Sequence, residues 1–216
     1  YTKDNEFEYC TKDINQLGHD SFKYRVIDAN GKPSKNIETV NINILPHTRV
    51  FTYLDQNNEV KTTEGKNVTA ITPDIGYLVN RWYIAEGNIN LTHKLHVEGD
   101  VSLILADNST LNITMDSNNP AIFVPEGSSL TIYAQSNGTE SGCLIAKGGK
   151  YCAGIGEGRY VYGPDVYNRR SGNITINGGN ITAIGGQYGA GIGGGYNDNN
   201  GTVTINNGVV TALGGY

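Results

Sequence analysis

Short runs in which apolar and polar residues alternate fill most of this chain, and the last third shows them most clearly. There the runs NITI, NITAI, TVTI and VVTAL have four or five residues each and are rich in β-branched side chains. Such alternation is typical of β-strands with one buried face. Gly-Gly or Asn-Asn-Gly follows these runs, and glycine readily adopts the positive φ of a sharp corner. The pattern therefore predicts short strands separated by tight corners.

A repeated segment shows how these strands are organised. Gly172–Gly186 reads GNITINGGNITAIGG and Gly201–Gly215 reads GTVTINNGVVTALGG, at an offset of 29 residues. Nine of the fifteen positions are identical, and three more exchange Ile for Val or Leu. A repeat of this length indicates supersecondary units that stack on one another.

A second pair of segments fixes the register of the repeat. YCAGIGEG at Tyr151–Gly158 matches YGAGIGGG at Tyr188–Gly195 at an offset of 37 residues. The two offsets differ by 8 residues, which is the difference between loop 159–171, with 13 residues, and loop 196–200, with 5. The chain thus contains one repeat unit with a loop of variable length.

The repeat predicts an all-β fold built as a solenoid. Three strands and three corners in 29 residues fit one coil, and successive coils would pair in parallel at about 4.8 Å. A Greek-key sandwich is the alternative, but it does not explain a repeat with one loop of variable length. The residues expected to stack inside are Ile174, Ile176, Ile181, Ile184, Ile192, Val203, Ile205, Val210 and Leu213.

The first 46 residues have a different pattern. Phe22–Ile27 and Val40–Leu45 alternate, and Asp28–Gly31 between them is turn chemistry, which predicts an antiparallel hairpin. The segment GHDSFKYRVIDANGKPS, followed by ETVNINI, resembles the last strands of bacterial Ig-like or cadherin-like repeats. That resemblance covers about residues 8–46. It implies the end of an Ig-like β-sandwich of the kind that serves as a stalk.

The predicted domain order follows from the boundary at Pro46-His47, because proline cannot donate in a central strand. Residues 1–46 are assigned to the Ig-like module, 47–78 to a linker and entry cap, and 79–216 to a parallel β-helix of about five or six coils. The cap contains a predicted hairpin around Asp55–Asn58. The general rule for parallel crossovers predicts a right-handed helix.

A series of motifs in fixed order carries a second resemblance. WYIAEGNINLT, KLHVEGDVSLILADNSTLNI, IFVPEGSSLTIYAQ, AGIGEG and NITINGGNITAIGG resemble a parallel β-helix region of large bacterial cell-surface proteins. It covers about residues 51–216, with Asn108 and Ala134 at two positions where glycine is usual. The resemblance implies a secreted, surface-attached protein that serves as an adhesin or a structural stalk. It implies no catalytic signature.

Composition and charge limit the classes of partner expected for this chain. The net charge is −5 with a pI near 5.3, and the 16 Lys and Arg residues form no basic run, which argues against nucleic acid. No apolar run approaches the roughly 20 residues of a membrane helix, so no membrane insertion is expected in this segment. The chain starts without Met and stops inside a repeat, which is typical of a fragment.

Three cysteines leave their bonding open. Cys10, Cys143 and Cys152 are an odd number, so they cannot all pair within the chain. Cys143 and Cys152 could form a disulfide if a corner brings them together, but the favoured interpretation is two small buried residues. Zinc is not expected, because no His lies near either residue.

Catalytic residues are not predicted, although parallel β-helices do include polysaccharide lyases and glycoside hydrolases, which makes an enzyme the alternative function. Such hydrolases need two carboxyl groups within about 10 Å of one another. Glu157 and Asp165 are the one candidate pair, with loop charges as the simpler explanation. No cofactor is expected. The carboxylate and amide groups at Asp28 and Asn30, and at Asn197–Asn199, offer oxygen ligands for Ca²⁺, but turn chemistry is favoured.

Binding is the better supported chemistry, and the long loop is the candidate site. Tyrosine rings stack on sugars, and arginine forks match the carboxylates of uronic or sialic acids. We therefore expect anionic cell-surface or matrix glycans as partners; the simpler alternative is a loop whose tyrosines cover an exposed corner. The candidate residues are Tyr151, Arg159, Tyr160, Tyr162, Asp165, Tyr167, Arg169, Arg170, Tyr188 and Tyr196.

Overall fold

The computed structural model of the chain describes residues 18–24, 30–33, 35, 38–44, 49–158 and 170–216. It divides into two compact units, Tyr1–His47 and Thr48–Tyr216. Apart from a single 3-10 turn at Gly138–Glu140, the elements of the described residues are β-strands. Among these residues no helix is long and apolar enough to span a bilayer.

The first unit contains an antiparallel pair of strands. Strand β1 (Gly18–Tyr24) pairs with β2 (Glu38–Ile44), with Phe22 opposite Val40. The predicted hairpin is therefore confirmed. The Ig-like sandwich stays a prediction, because β1 and β2 are the only strands described in this unit.

A second hairpin opens the larger unit. Strands β3 (Thr52–Leu54) and β4 (Val60–Thr62) are antiparallel, as the turn residues between them predict. Asp55 accepts hydrogen bonds from the backbone N–H of Asn57 and of Glu59, both at 2.9 Å, and Asn58 has a φ of 64°. An aspartate that bonds to the backbone two residues later is a common way to close such a turn.

The rest of the chain winds through sixteen short strands. In chain order they are β5 (Val68–Ala70), β6 (Tyr77–Val79), β7 (Trp82–Ala85), β8 (Asn88–Leu91), β9 (Leu95–Glu98), β10 (Asp100–Leu105), β11 (Thr110–Thr114), β12 (Ile122–Phe123), β13 (Ser129–Ala134), β14 (Cys143–Lys147), β15 (Ile155–Gly156), β16 (Asn173–Ile176), β17 (Asn180–Ile184), β18 (Ile192–Gly193), β19 (Val203–Ile205) and β20 (Val209–Leu213).

These strands form three parallel sheets, as a β-helix requires. The first sheet has the order β5-β7-β10-β13-β16-β19, the second β8-β11-β14-β17-β20, and the third β6-β9-β12-β15-β18. The described strands make four complete coils, from β7 to β18, with an incomplete coil at each end. The parallel pairing begins at Val68, because β5 already pairs with β7, whereas the sequence prediction starts the solenoid at residue 79.

The interior consists of stacked aliphatic side chains. Leu111, Leu144 and Ile181 occupy one position in successive coils and are at most 1% exposed. Every second residue along each strand points inward, so the equivalent inward positions are apolar in each coil. Burying each of these side chains contributes about 2 kcal/mol.

The predicted core is confirmed in part. Ile174, Ile176 and Ile181 are buried, and Ile192 and Val210 are partly buried against them. Val203, Ile205 and Leu213 in the last described coil are exposed, so the prediction is wrong there. The register pairs Ile174 with Val203, Ile176 with Ile205 and Ile181 with Val210. Ile184, however, lies on the outer face of β17 and is only half-buried, while Ala183 is fully buried. The reason is that residues three apart on a strand point to opposite faces, so Ile181 and Ile184 cannot both point inward.

Two glycines allow the coils to stack closely in the third sheet. Gly156 pairs with Gly193 and has a φ of 134°; a Cβ placed on it would lie 2.0 Å from the Gly193 carbonyl oxygen. Only glycine tolerates both the conformation and that approach. The AGIG motifs therefore form the short strands β15 and β18, where the backbones of successive coils approach closely.

The β3–β4 hairpin covers the outer face of the first sheet. Its Tyr53 ring lies 4.8 Å from both the Trp82 and the Tyr133 ring, and these two stack at 5.1 Å; we name these three residues the hairpin cluster. Lys66 Nζ lies 4.0 Å from the Trp82 ring centroid, a cation–π contact. Burial raises the pKa of Tyr133.

Candidate functional site

Three tyrosines meet at one corner of the last coils. The ring centroids of Tyr151 and Tyr188 are 5.8 Å apart and nearly parallel, and the Tyr196 ring lies 5.7 Å from the first and 5.5 Å from the second. We name Tyr151, Tyr188 and Tyr196 the tyrosine triad. The three residues were predicted together from the repeat comparison, and the structure brings them into contact.

Repeat geometry positions the triad. Tyr151 follows β14 and Tyr188 follows β17, at equivalent places in successive coils, and Tyr151 N–H donates to the Gln187 carbonyl at 2.9 Å. Tyr196 comes just after β18, and its N–H donates to the Tyr151 carbonyl at 2.9 Å. Backbone hydrogen bonds between coils therefore hold the three rings at one place.

The backbone of two triad members is unusual for a bulky residue. Tyr151 has a φ of 68° and Tyr188 a φ of 66°, in the left-handed region that glycine and asparagine occupy at other corners of this solenoid. A non-glycine residue there costs about 1–2 kcal/mol, and a bulky one is a genuine outlier. The outlier occurs in both coils, so it belongs to the repeat.

The triad faces solvent on one side. Tyr188 is 52% exposed and Tyr196 is 36% exposed, while Tyr151 is half-buried. Lys150 Nζ lies 4.8 Å from the Tyr151 ring centroid. The surface therefore combines apolar ring area with hydroxyl groups and a nearby positive charge, which suits a ligand that has both apolar faces and polar groups.

The two ends of the long loop lie next to the triad. Gly158, where the loop begins, bridges to Cys152, the neighbour of Tyr151. Arg170, where it returns, bridges to Asn199, three residues after Tyr196. The other predicted loop residues, Arg159, Tyr160, Tyr162, Asp165, Tyr167 and Arg169, lie outside the described residues.

A polar cleft lies where three successive coils turn from the third sheet into the first. Its volume is about 310 Å³. The residues that line it include Glu126, Ser128, Arg170, Asn173, Asn200 and Thr202. Sequence reasoning proposed only Arg170 among these. The others are short polar residues at corners, and their clustering depends on coil stacking that no local motif reports.

The candidate acid residue Glu157 is buried. It is 2% exposed, and its N–H donates to the Gly193 carbonyl at 2.9 Å. Its proposed partner Asp165 lies outside the described residues, so the spacing of the two carboxyl groups stays a prediction.

His93, just before β9, and His96, within it, contact neighbouring residues. His93 Nε2 lies 3.0 Å from the Ile75 carbonyl oxygen, and His96 lies between the Tyr77 and Phe123 rings at 4.9 and 4.8 Å. Burial lowers the pKa of His96, as does nearby Lys94. Among the described residues, no three or more His, Cys, Asp or Glu side chains form a group that could hold a metal ion.

Most of the residues proposed as Ca²⁺ ligands lie among the described residues. Asn197 has a φ of 61°, and Asp198 N–H donates to the Gly195 carbonyl at 3.3 Å, so this segment forms a turn. Asp28 lies outside the described residues.

Both Cys143 and Cys152 are free thiols, and Cys152 is fully buried.

Comparison with known proteins supports the repeat. Residues 174–196 match the family model described as a beta helix repeat, a segment that runs from β16 to Tyr196 and includes Tyr188. No curated protein and no solved structure matches the chain significantly. Together with the three parallel sheets, the match identifies this part of the chain as a parallel β-helix repeat region.

Proposed function

We propose that this chain is a non-catalytic region of a secreted cell-surface protein, an adhesin or stalk, and that the tyrosine triad binds glycans. The observation that carries the proposal is the pair of left-handed backbones at Tyr151 and Tyr188, whose rings are half-buried and exposed, respectively. Strained residues persist where the surrounding structure holds them, and they cluster at ligand-binding sites. The resemblance to cell-surface β-helix regions supports the location.

Glycine or asparagine would fill these two positions at lower energy. The same solenoid has Asn108 at φ 56° and Gly127 at φ 84° at other corners. A tyrosine at both triad corners therefore has a cost in stability that its side chain must offset. Its contacts within the triad offset part of that cost, but Tyr188 remains 52% exposed. A role in binding accounts for an exposed ring on a strained backbone.

Sugar chemistry fits the surface. Aromatic rings present flat apolar area to the C–H face of a pyranose, while tyrosine hydroxyls and Lys150 can bond to its hydroxyl groups. A corner of a solenoid also suits extended polymers, because successive coils repeat the same side chain every 4.8 Å or so. The expected partners are glycans of a cell surface or matrix.

A polysaccharide lyase or glycoside hydrolase is the second candidate. Burial of Glu157, at 2% exposure next to the start of the long loop, is the observation in its favour. A buried carboxyl group close to a binding surface is a common arrangement of a general acid. It needs a second carboxyl group, for which Asp165 is the candidate.

One experiment separates the two functions. The whole chain is applied to surfaces coated with pectin or mucin, and the supernatant is assayed for new reducing ends and for unsaturated ends at 235 nm or so. We expect retention on at least one surface without turnover. Turnover that disappears in Glu157→Gln would establish the enzyme, and failure to bind any coated glycan would contradict the binding function.

A further inference from the structure

We infer that the polar cleft between the third and the first sheet takes the carboxylate of an acidic sugar, with a uronic acid residue as the ligand. This inference rests on the proposed glycan-binding function and adds a charge-selective subsite to it. The cleft is separate from the three rings, and its chemistry comes from Arg170, Asn173 and Asn200.

Two asparagine side chains in the cleft have a fixed orientation. Asn200 Oδ1 accepts the Gly194 N–H at 2.7 Å, and Asn173 Oδ1 accepts the Thr202 N–H at 3.4 Å. A backbone N–H can only donate, so each amide must keep its oxygen towards the backbone. The Nδ2 groups of both residues are then left as donors, and neither has a protein acceptor among the described residues.

Arg170 adds a cation to these donors. Its side chain is exposed at the cleft, and within the described part of the chain it has no ion-pair partner within 4.0 Å. A guanidinium presents two parallel N–H groups that match a carboxylate. Three donor groups from two coils thus converge on one cleft, which favours a ligand rich in acceptors and negatively charged.

Glu126 restricts the class of ligand that can bind in the cleft. Its exposed carboxylate also lines the cleft, so a simple inorganic anion meets repulsion as well as attraction. A uronic acid has a carboxylate for Arg170 and neighbouring hydroxyl groups that donate to Glu126. The cleft, at about 310 Å³, has room for one sugar residue.

The test compares a charged oligosaccharide with its uncharged counterpart. Affinities of the whole chain are measured by titration calorimetry for tetragalacturonic acid and for its full methyl ester, which differ only in the carboxylate groups. We expect the acid to bind about tenfold more tightly or better, because charge-assisted hydrogen bonds are the stronger ones. The same comparison with 3′-sialyllactose and lactose shows whether a sialic acid is the better source of the carboxylate.

Two variants locate the effect. Arg170→Met removes the cation, and Asn200→Asp keeps the acceptor for Gly194 N–H but replaces the donor group by a negative charge. Both should reduce the ratio of the affinity for the acid to the affinity for the ester, because each removes a group that favours the carboxylate. Circular dichroism confirms that each variant folds.

The outcomes separate this inference from the function on which it rests. Equal affinity of the wild type for acid and ester, or unchanged preference in both variants, overturns the acidic subsite, while ester binding that is lost in Tyr188→Gly would leave the triad function in place. Acid binding that disappears in Arg170→Met but survives in Tyr188→Gly would support the cleft and contradict the triad.

Discussion

Two aromatic clusters in the described part of the solenoid, the hairpin cluster and the tyrosine triad, differ in backbone, exposure and covering. In the hairpin cluster, two rings project from the extended strands of the first sheet, and the β3–β4 hairpin covers them. In the tyrosine triad, two rings project from left-handed corners and one face stays open. The same residue type therefore stabilises the fold at one place and presents a surface at the other.

This difference shows how a repeat protein separates stability from recognition. Strand positions are constrained by the neighbours above and below, so a ring there is packed and its replacement is costly. A corner tolerates a longer loop or a strained residue, because the stacked core fixes everything else. Variants in the two clusters should therefore have opposite effects on stability and binding.

The largest expected effect is loss of stability in the hairpin cluster. Tyr53→Ala removes a ring that is 8% exposed and leaves a cavity against Trp82 and Tyr133, so unfolding should become easier by about 3 kcal/mol. The emission of Trp82, the single tryptophan, reports on this cluster during chemical denaturation. Tyr53→Phe is the control and should stay close to the wild type. If Tyr53→Ala weakened glycan binding while the chain stayed folded, the hairpin cluster would also take part in binding. That result would contradict the separate roles of the two clusters.

A matched pair at Tyr188 tests the strain in the triad. Tyr188→Gly and Tyr188→Ala both remove the ring and should weaken glycan binding about tenfold. Only glycine relieves the left-handed backbone, so Tyr188→Gly should be more stable than Tyr188→Ala by about 1 kcal/mol. Thermal unfolding of both variants and their affinity for a coated glycan are measured. Equal stabilities would show that the backbone at this corner is not strained.

A pH effect on stability should distinguish the half-buried phenol of Tyr133 in the hairpin cluster. Burial raises the pKa of Tyr133 above its usual 10.0, so the folded state holds this proton more tightly than the unfolded state. Its contribution to stability is full below pH 10 or so and is lost as the pH rises through the folded-state pKa. Unfolding midpoints measured from pH 9 upward should therefore fall less steeply in Tyr133→Phe than in the wild type. A parallel fall in both proteins would contradict the burial of the phenol.

The smallest expected effect on stability concerns an ion pair made by Arg49, which lies just before the β3–β4 hairpin. Arg49 makes two hydrogen bonds to Glu86, at 2.7 and 2.8 Å, but both side chains are substantially exposed. Exposed ion pairs contribute about 0.2–1 kcal/mol and are screened by salt. Arg49→Met should thus lower the stability by less than about 1 kcal/mol, and the difference should shrink in 1 M salt. A loss of several kcal/mol would mean that this pair holds the hairpin in place.

The repeat and its register could be predicted from the sequence because similar segments recur at fixed offsets. The 29-residue offset alone pairs Thr175 with Thr204 and Thr182 with Thr211, and the same pairs occur in the structure. Ile184 was assigned to the core because it is apolar, but strand geometry sends it outward. Strict application of the two-residue period would have avoided that error.

Other features were beyond a single sequence. Packing of the β3–β4 hairpin on the first sheet joins residues far apart in the chain, such as Gln56 and Asn207, and no motif reports such contacts. The left-handed backbones of Tyr151 and Tyr188 were also unexpected, since bulky residues rarely adopt them. The polar cleft depends on three stacked corners. The candidate site was found because the repeat comparison exposed a loop of different length.

The double variant Tyr151→Gly/Tyr188→Gly tests the central claim most directly. Wild type and variant are applied to the same glycan array, and their melting temperatures are measured on the same preparations. We expect the variant to lose the glycan signals of the wild type while its melting temperature is unchanged or higher. Identical array signals from both proteins would contradict it, since the triad would then be only a covered corner of the solenoid.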